Sequence, residues 1–318
     1  MKLQRILWLL IACAVLGIVL PAPVIADTVQ KKTINENGVV GDFFFRKDAE
    51  NQRPLILLGG AEGGKTLSEQ TDKIDLAVQR GYAVLVLAYF GMDGLPPTLQ
   101  SIPMEYFDKA VDWVCKQQST VDTNGVGIIA GSKGTEAGLL LATTNHKIKA
   151  VVAIVPSAYV FWGIYGPGGK DQRTSSWSRG GKDIPFAPMV SSKEKVIRAM
   201  QTHKFLPIYS EAIASPNAAR GEIKIEQAKA PILFVSGKRD ELWPSYKMAE
   251  IMMQRLKKNE YPYHYEHLSY NASHGVIHEV PESWEKIFDF LETYYPSPYW
   301  PDKKGRTADF HKKRNKIQ

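Results

Sequence analysis

Five short apolar runs recur along this chain with almost no polar alternation: 54–58 (Pro54-Leu55-Ile56-Leu57-Leu58), 82–89, 125–129, 150–155 and 231–235 (Pro231-Ile232-Leu233-Phe234-Val235). A strand with one wet face alternates apolar and polar residues, and a strand covered on both faces does not. The runs therefore predict a parallel sheet buried between two layers. Segments with helical spacing lie between them, over Ser68–Gln79, Met104–Lys116, Thr135–Thr143, Tyr246–Leu256 and Glu282–Tyr294. Strands alternating with helices predict a doubly wound α/β fold with helices on both faces. The stretch 28–46 is a candidate leading hairpin. With 318 residues, 44% of them hydrophobic, the chain can bury a large core as one domain.

The two ends read differently from the middle. Lys2 and Arg5 precede an apolar run from Ile6 to Leu20, and Val24-Ile25-Ala26 offers a cleavage site. Residues 1–26 are expected to be a secretory signal cut after Ala26, with an exported product. The length of the apolar run keeps an uncleaved membrane anchor as the alternative. A lipoprotein signal ending at Cys13 is disfavoured because the sequence stays apolar after it. Residues 27–53 read as a lead-in, 54–297 as the catalytic domain and 298–318 as a basic tail. Beyond residue 26, Cys115 is the sole cysteine, which excludes an intramolecular disulfide. It sits in the amphipathic segment Tyr106–Cys115 and reads as a small buried hydrophobe rather than a catalytic thiol.

The formal charge of +7 is concentrated at the ends. Lys2 and Arg5 belong to the signal. After Asp302 the tail carries Lys303, Lys304, Arg306, Lys312, Lys313, Arg314 and Lys316 against Asp309. The body between is nearly neutral, which excludes a broad nucleic-acid-binding surface on it. The tail is expected to be a solvated end, with weak contact to an anionic membrane surface as its functional alternative.

The run Val126-Gly127-Ile128-Ile129-Ala130-Gly131-Ser132-Lys133-Gly134, followed by helical Thr135–Ala142, places a serine in a strand–turn–helix. It resembles the Gly-x-Ser-x-Gly elbow of α/β-hydrolases, with Ala130 at the first glycine position. A sharp turn favours glycine beside the nucleophile, and Gly131 and Gly134 are present. A serine hydroxyl needs a base, and the base needs an orienting acid. In such folds they follow the serine in the order acid, histidine. Asp240, in the turn after 231–235, is the candidate acid, with Glu241 its neighbour. His274, in Tyr270-Asn271-Ala272-Ser273-His274-Gly275 after a strand at 263–269, is the candidate base, ahead of His278. His264 and His267 read as structural.

An oxyanion needs fixed backbone donors. One is expected from the N–H of Lys133, and the second from Ala61 in the loop Gly59-Gly60-Ala61-Glu62-Gly63-Gly64. The Lys133 side chain reads equally as an attractor for an anionic substrate or as a solvated cation. Gly59-x4-Gly64-Lys65-Thr66 also fits a phosphate-binding loop, a competing reading that export disfavours. The histidines lack metal-ligand spacing, and no cofactor is expected.

Residues 157–226 break the strand–helix rhythm. Glycines and prolines crowd 163–185, with Phe161, Trp162, Tyr165, Trp177 and Phe186 among them and a helical stretch near 193–202. A disordered excursion would leave those aromatics without packing, so a cap insertion over the site is expected.

These residues together resemble the C-terminal catalytic domain of the acyl-CoA thioesterase and bile acid-CoA:amino acid N-acyltransferase family. The resemblance rests on Gly59–Gly64, Gly81-Tyr82-Ala83-Val84-Leu85 with Ala88-Tyr89-Phe90-Gly91, and Leu95-Pro96. It continues through Ile102-Pro103-Met104-Glu105-Tyr106-Phe107, Gly131-Ser132-Lys133-Gly134, Pro156-Ser157, Trp243-Pro244-Ser245 and Ala272-Ser273-His274, spanning roughly 54–295. It implies an α/β-hydrolase fold, dienelactone-hydrolase-like, with a serine or cysteine nucleophile, an aspartate and a histidine. These fall on Ser132, Asp240 and His274, and a serine resembles the hydrolase branch. Two features depart from the family. Residues 27–53 are too short for the immunoglobulin-like domain of eukaryotic members, and export conflicts with cytosolic coenzyme A esters. The expected function is an exported serine hydrolase acting on a small-molecule acyl ester or thioester. An acyltransferase is one alternative. A non-catalytic binding protein on the same scaffold is another, and Ala130 is its only support.

Overall fold

A computed structural model describes residues 29–117, 119–164 and 174–299. The signal (1–26), Tyr165 of the insertion and the tail after 299 lie outside them. Strands β1 (Val29–Glu36) and β2 (Val39–Arg46) form a hairpin about Asn37-Gly38, whose φ angles of 54° and 76° suit the tight turn of two twisted strands. β1 is the sheet's edge and presents Lys31 and Lys32 outward, charges that discourage pairing with another chain.

After β3 (Arg53–Leu58) comes helix α1 (Thr71–Gln79), then β4 (Tyr82–Ala88), buried at every residue. A short β5 (Ile102–Pro103) runs into α2 (Met104–Cys115), which buries Met104, Phe107, Ala110, Val111 and Val114 along one stripe. Cys115 is buried there as the small hydrophobe expected. β6 (Val126–Gly131), α3 (Gly134–Thr144) and β7 (Ile148–Ile154) follow. The insertion holds β8 (Trp177–Arg179), β9 (Lys182–Asp183), α4 (Lys193–Thr202) and α5 (Leu206–Ala214). The chain returns through β10 (Ile232–Gly237), α6 (Ser245–Lys258), β11 (Tyr265–Tyr270), α7 (Val276–Glu279) and α8 (Ser283–Tyr294).

Eight strands make one sheet in the order β1-β2-β4-β3-β6-β7-β10-β11, antiparallel over β1, β2 and β4 and parallel from β4 onward. Its strands divide their side chains between two cores. Leu85 and Leu87 of β4 join α2, α3 and α6 on one face, and Val84 and Val86 join α1 and α8 on the other. Both faces are covered, which is why the sequence lacks alternation. β5, β8 and β9 form a second small sheet tying the insertion to the entry of α2. The turns after β3, β6, β10 and β11 all open at the carboxyl edge of the parallel strands, where open α/β sheets bind ligands.

Candidate active site

Ser132 sits between β6 and α3 with φ of 50°, the left-handed region that a non-glycine residue enters only when its surroundings hold it there. Its N–H donates to the Ile154 carbonyl at 3.0 Å, and the Thr135 hydroxyl donates to its carbonyl at 2.6 Å. The glycines around it are not equivalent. A Cβ at Gly134 would lie 2.2 Å from the Gly59 carbonyl oxygen, so this position admits glycine alone. A Cβ at Gly131 would meet open space, which corrects the expectation that both flanks are sterically required. Ala130 is small because α3 packs on it: a Cβ at Gly138 would come within 3.1 Å of the Ala130 methyl.

The three candidate side chains, from three separate turns, converge. His274 Nε2 lies 2.9 Å from Ser132 Oγ, and its Nδ1 lies 2.9 Å from both carboxylate oxygens of Asp240. Asp240 is buried and fully engaged. It accepts from the Leu242 N–H (3.0 Å) and the Trp243 N–H (3.2 Å) on one oxygen and from the Ser245 hydroxyl (2.6 Å) on the other. Trp243 packs edge-on against the imidazole at 6.0 Å and donates from Nε1 to the Val155 carbonyl. Val155 itself has φ of 45°, a strained conformation for a β-branched residue.

The neighbours weighed against these residues lie elsewhere. Glu241 offers only its carbonyl, to the Leu206 N–H at the start of α5, and His278 is exposed on α7. His264 stacks on Tyr294, while His267 bridges Ser236 Oγ and Glu250, each at 2.7 Å. Burial, only partly offset by Glu250, pushes the His267 pKa down.

The glycine loop after β3 is held from two sides. The Tyr89 hydroxyl reaches the Gly59 carbonyl at 2.6 Å and the Gly60 carbonyl at 3.0 Å, while the Gly60 N–H donates to the Glu62 carboxylate at 2.7 Å. Burial drives the Tyr89 phenol far above its ordinary pKa, so it remains a neutral donor. A Cβ at Gly60 would stand 2.9 Å from Ser132 Cβ, so glycine lets this loop close on the serine. Ala61 thereby lines the same cavity as Ser132, Lys133 and His274.

The Lys133 side chain is neither solvated nor available to a substrate, which corrects both expectations for it. It is 2% exposed and pairs with Glu136 at 2.7 Å, with a further contact to the Trp162 carbonyl at 3.3 Å. The other Glu136 oxygen accepts from Trp177 Nε1 (2.9 Å) and the Phe161 N–H (3.1 Å). Burial pushes the lysine pKa down and the glutamate pKa up, each opposed by its partner. Lys65 is likewise engaged, with Nζ 2.6 Å from the buried Asp42 carboxylate, so the loop's phosphate-binding reading loses its lysine. Among the described residues no group of three His, Cys, Asp or Glu side chains could hold a metal ion.

A cavity of about 380 Å³ opens above Ser132. Its walls are apolar and come largely from the insertion: Trp162, Met189, Val196, Met200, Phe205, Ile208 and Tyr209, with Leu242 and Trp243 beside them. Trp162 and Tyr209 stack at 4.9 Å, and Phe161 meets Tyr209 edge-on at 4.8 Å. Of the aromatics that argued against a disordered insertion, Phe161 and Trp162 meet edge-on, and Trp177 is buried completely against Tyr89 and Phe107. Sequence reasoning missed Glu136, Tyr89 and Ser245. Of these, Glu136 carried a signal, three residues after Lys133 on one helix.

Comparison with known proteins places the chain among acyl-transferring and acyl-hydrolysing relatives by similarity. A mouse acyl-coenzyme A amino acid N-acyltransferase 1 is 27% identical over 231 residues, covering 73% of this chain and 50% of the relative. Mouse acyl-coenzyme A thioesterase 1 is 28% identical over 234 residues, covering 73% and 51%. The chain thus spans about half the length of the curated relatives it matches. In structure it is similar to an esterase from Pyrococcus furiosus (TM-score 0.53, 16% identity, 84% of this chain and 92% of that one). It is also similar to the acylaminoacyl peptidase of Pyrococcus horikoshii (TM-score 0.55, 12% identity, 84% and 42%). The fold is that of the α/β-hydrolases. The family model described as BAAT / Acyl-CoA thioester hydrolase C terminal matches residues 102–283, from β5 to the start of α8 and across Ser132, Asp240 and His274, and the chain belongs to that family.

Proposed function

We propose that this chain is a serine hydrolase that cleaves ester or thioester bonds of acyl substrates. The observation that carries the reading is the continuous contact from Ser132 Oγ through His274 to a buried, hydrogen-bonded Asp240. Asp240 holds the imidazole with its Nδ1–H inward, leaving Nε2 free to accept the serine proton. The Ser132 oxygen attacks the acyl carbonyl, and His274 takes the proton. The backbone N–H groups of Lys133 and Ala61 receive the charge on the carbonyl oxygen. Collapse of the tetrahedral intermediate breaks the bond to the leaving alkoxide or thiolate, to which His274 returns the proton. Water, activated by the same histidine, then releases the acid from the acyl-serine.

The apolar walls suit an acyl chain, and relatives named as acyl-CoA thioesterases support the thioester arm of the reading. Export, carried by the 1–26 segment, favours esters instead, since coenzyme A esters are cytosolic. A relative named as an N-acyltransferase supports transfer to an amine as the second reading, with the amine replacing water at the acyl-serine. A purely binding role loses its support, because Ala130 is small for packing against Gly138. Turnover of short and long p-nitrophenyl esters and of matching acyl-CoA, beside Ser132→Ala, tests the proposal. Serine-dependent release supports it, and an unchanged rate in Ser132→Ala removes it. Product analysis with a competing amine separates hydrolysis from transfer.

A further inference from the structure

The described residues carry six exposed large hydrophobic side chains, and three are tyrosines far apart in the chain. The other three are Val190 (49% exposed), Ile197 (43%) and Met200 (60%), all in or beside α4. Single exposed apolar residues are ordinary on a protein surface, but every aliphatic one gathering on one element is not. Lys193, Ile197 and Met200 follow one another at i, i+4 and i+7 and so share a helix face. Arg198 and Lys204 stand close by in sequence. Lys193, Arg198 and Lys204 are exposed and form no ion pair among the described residues, while Lys195 is tied to Glu211. Glu194 is the one acid on the helix.

The same helix belongs to the cavity. Val196, Met200 and His203 line it, so Met200 joins the outer patch to the inner wall above Ser132. An apolar strip with free cations beside it, lying at the mouth of an apolar pocket, is the chemistry of a helix that rests in the headgroup layer of an anionic lipid surface. A second copy of the chain docking through the same face would set those cations against their like.

We infer that α4 and its flanks dock this protein on an anionic lipid surface, with the pocket mouth facing the lipid. A long acyl chain then passes from lipid to the site without crossing water. The docking stands on the surface alone, and only the passage of substrate rests on the hydrolase reading above.

The test uses the full chain with vesicles of phosphatidylcholine alone or with about one-third phosphatidylglycerol. Two variants serve: Ile197→Asp, and Lys193→Glu with Lys204→Glu. Thermal unfolding checks that both fold. Expected is sedimentation with the anionic vesicles, weakened at least about ten-fold by either variant, since each basic residue near such a surface contributes about five-fold. Binding that survives both variants assigns adhesion to other segments and overturns the proposal. So does absence of binding, or a dimer in light scattering that Ile197→Asp disperses. Turnover of a soluble short-chain ester is read in parallel. A rate unchanged in Ser132→Ala refutes the hydrolase reading and leaves the docking result standing.

Discussion

Lys133 and Glu136 form a buried ion pair that begins one residue beyond Ser132 and ends on the insertion, through the Trp162 carbonyl, the Trp177 indole and the Phe161 amide. The nucleophile's helix and the wall of the pocket are therefore fastened at one point. Removing one partner leaves a charge buried without its counterpart. Glu136→Ala is expected to lose about 3–5 kcal/mol, measured by urea unfolding. Lys133→Met with Glu136→Leu leaves no unpaired charge, so the double variant is expected to be more stable than Glu136→Ala.

The elbow offers a paired test of steric demand. Gly134→Ala drives a Cβ against two backbone carbonyls, from Gly59 and Leu58, and neither can swing aside as a side chain would. A loss of about 3 kcal/mol is expected. Gly131→Ala meets open space and is expected to stay within about 1 kcal/mol of the native chain. Equal losses at both positions would contradict the geometry of this turn.

The leading hairpin is joined to the glycine loop by Asp42, which gives stability a dependence on pH. Burial by itself raises this carboxyl's pKa, but the Lys65 ammonium, the Thr33 hydroxyl and the Lys31 ion pair outweigh burial and hold it down to about 2. Its ordinary value is 3.8. The folded value is the lower one, so the stabilisation is fully present above the unfolded value and lost as pH falls through the folded one. That stabilisation amounts to about 2 kcal/mol. Urea unfolding between about pH 5 and about pH 2 should show the native chain losing that much more stability than Asp42→Asn.

Much of this was legible in the sequence, and what was not has identifiable causes. Continuous apolar runs announced a sheet covered on both faces, and chain order with position after a strand named Ser132, Asp240 and His274 as candidates, whose side chains lie within hydrogen-bonding distance of one another. The order of strands across the sheet was not readable, because β4 pairs with both β2 and β3 through contacts that no local pattern encodes. Lys133 was misread since Trp162, whose carbonyl it meets, and Phe161 and Trp177, which donate to its partner Glu136, lie 28 to 44 residues away in a segment without periodicity. Asp240 and Glu241 were inseparable by composition. Only the Leu242, Trp243 and Ser245 donors show which carboxylate is held for the histidine. Strands of two and three residues, as in β5, β8 and β9, are too short to leave a pattern.

Export is a separate proposal with its own test. Cleavage after Ala26 predicts that protein recovered from outside the cytoplasm begins at Asp27 on N-terminal sequencing. Recovery of the intact N-terminus in the membrane fraction would favour the anchor instead.

Catalysis as proposed requires that His274 activate Ser132 as a nucleophile. Intact-mass measurement after exposure to a fluorophosphonate, followed by peptide mapping, tests it without knowledge of the natural substrate. One adduct per chain is expected, on the peptide holding Ser132, absent in Ser132→Ala and formed at least about 100-fold more slowly in His274→Ala. A native chain that stays unlabelled, or labelling that persists in Ser132→Ala, would contradict it.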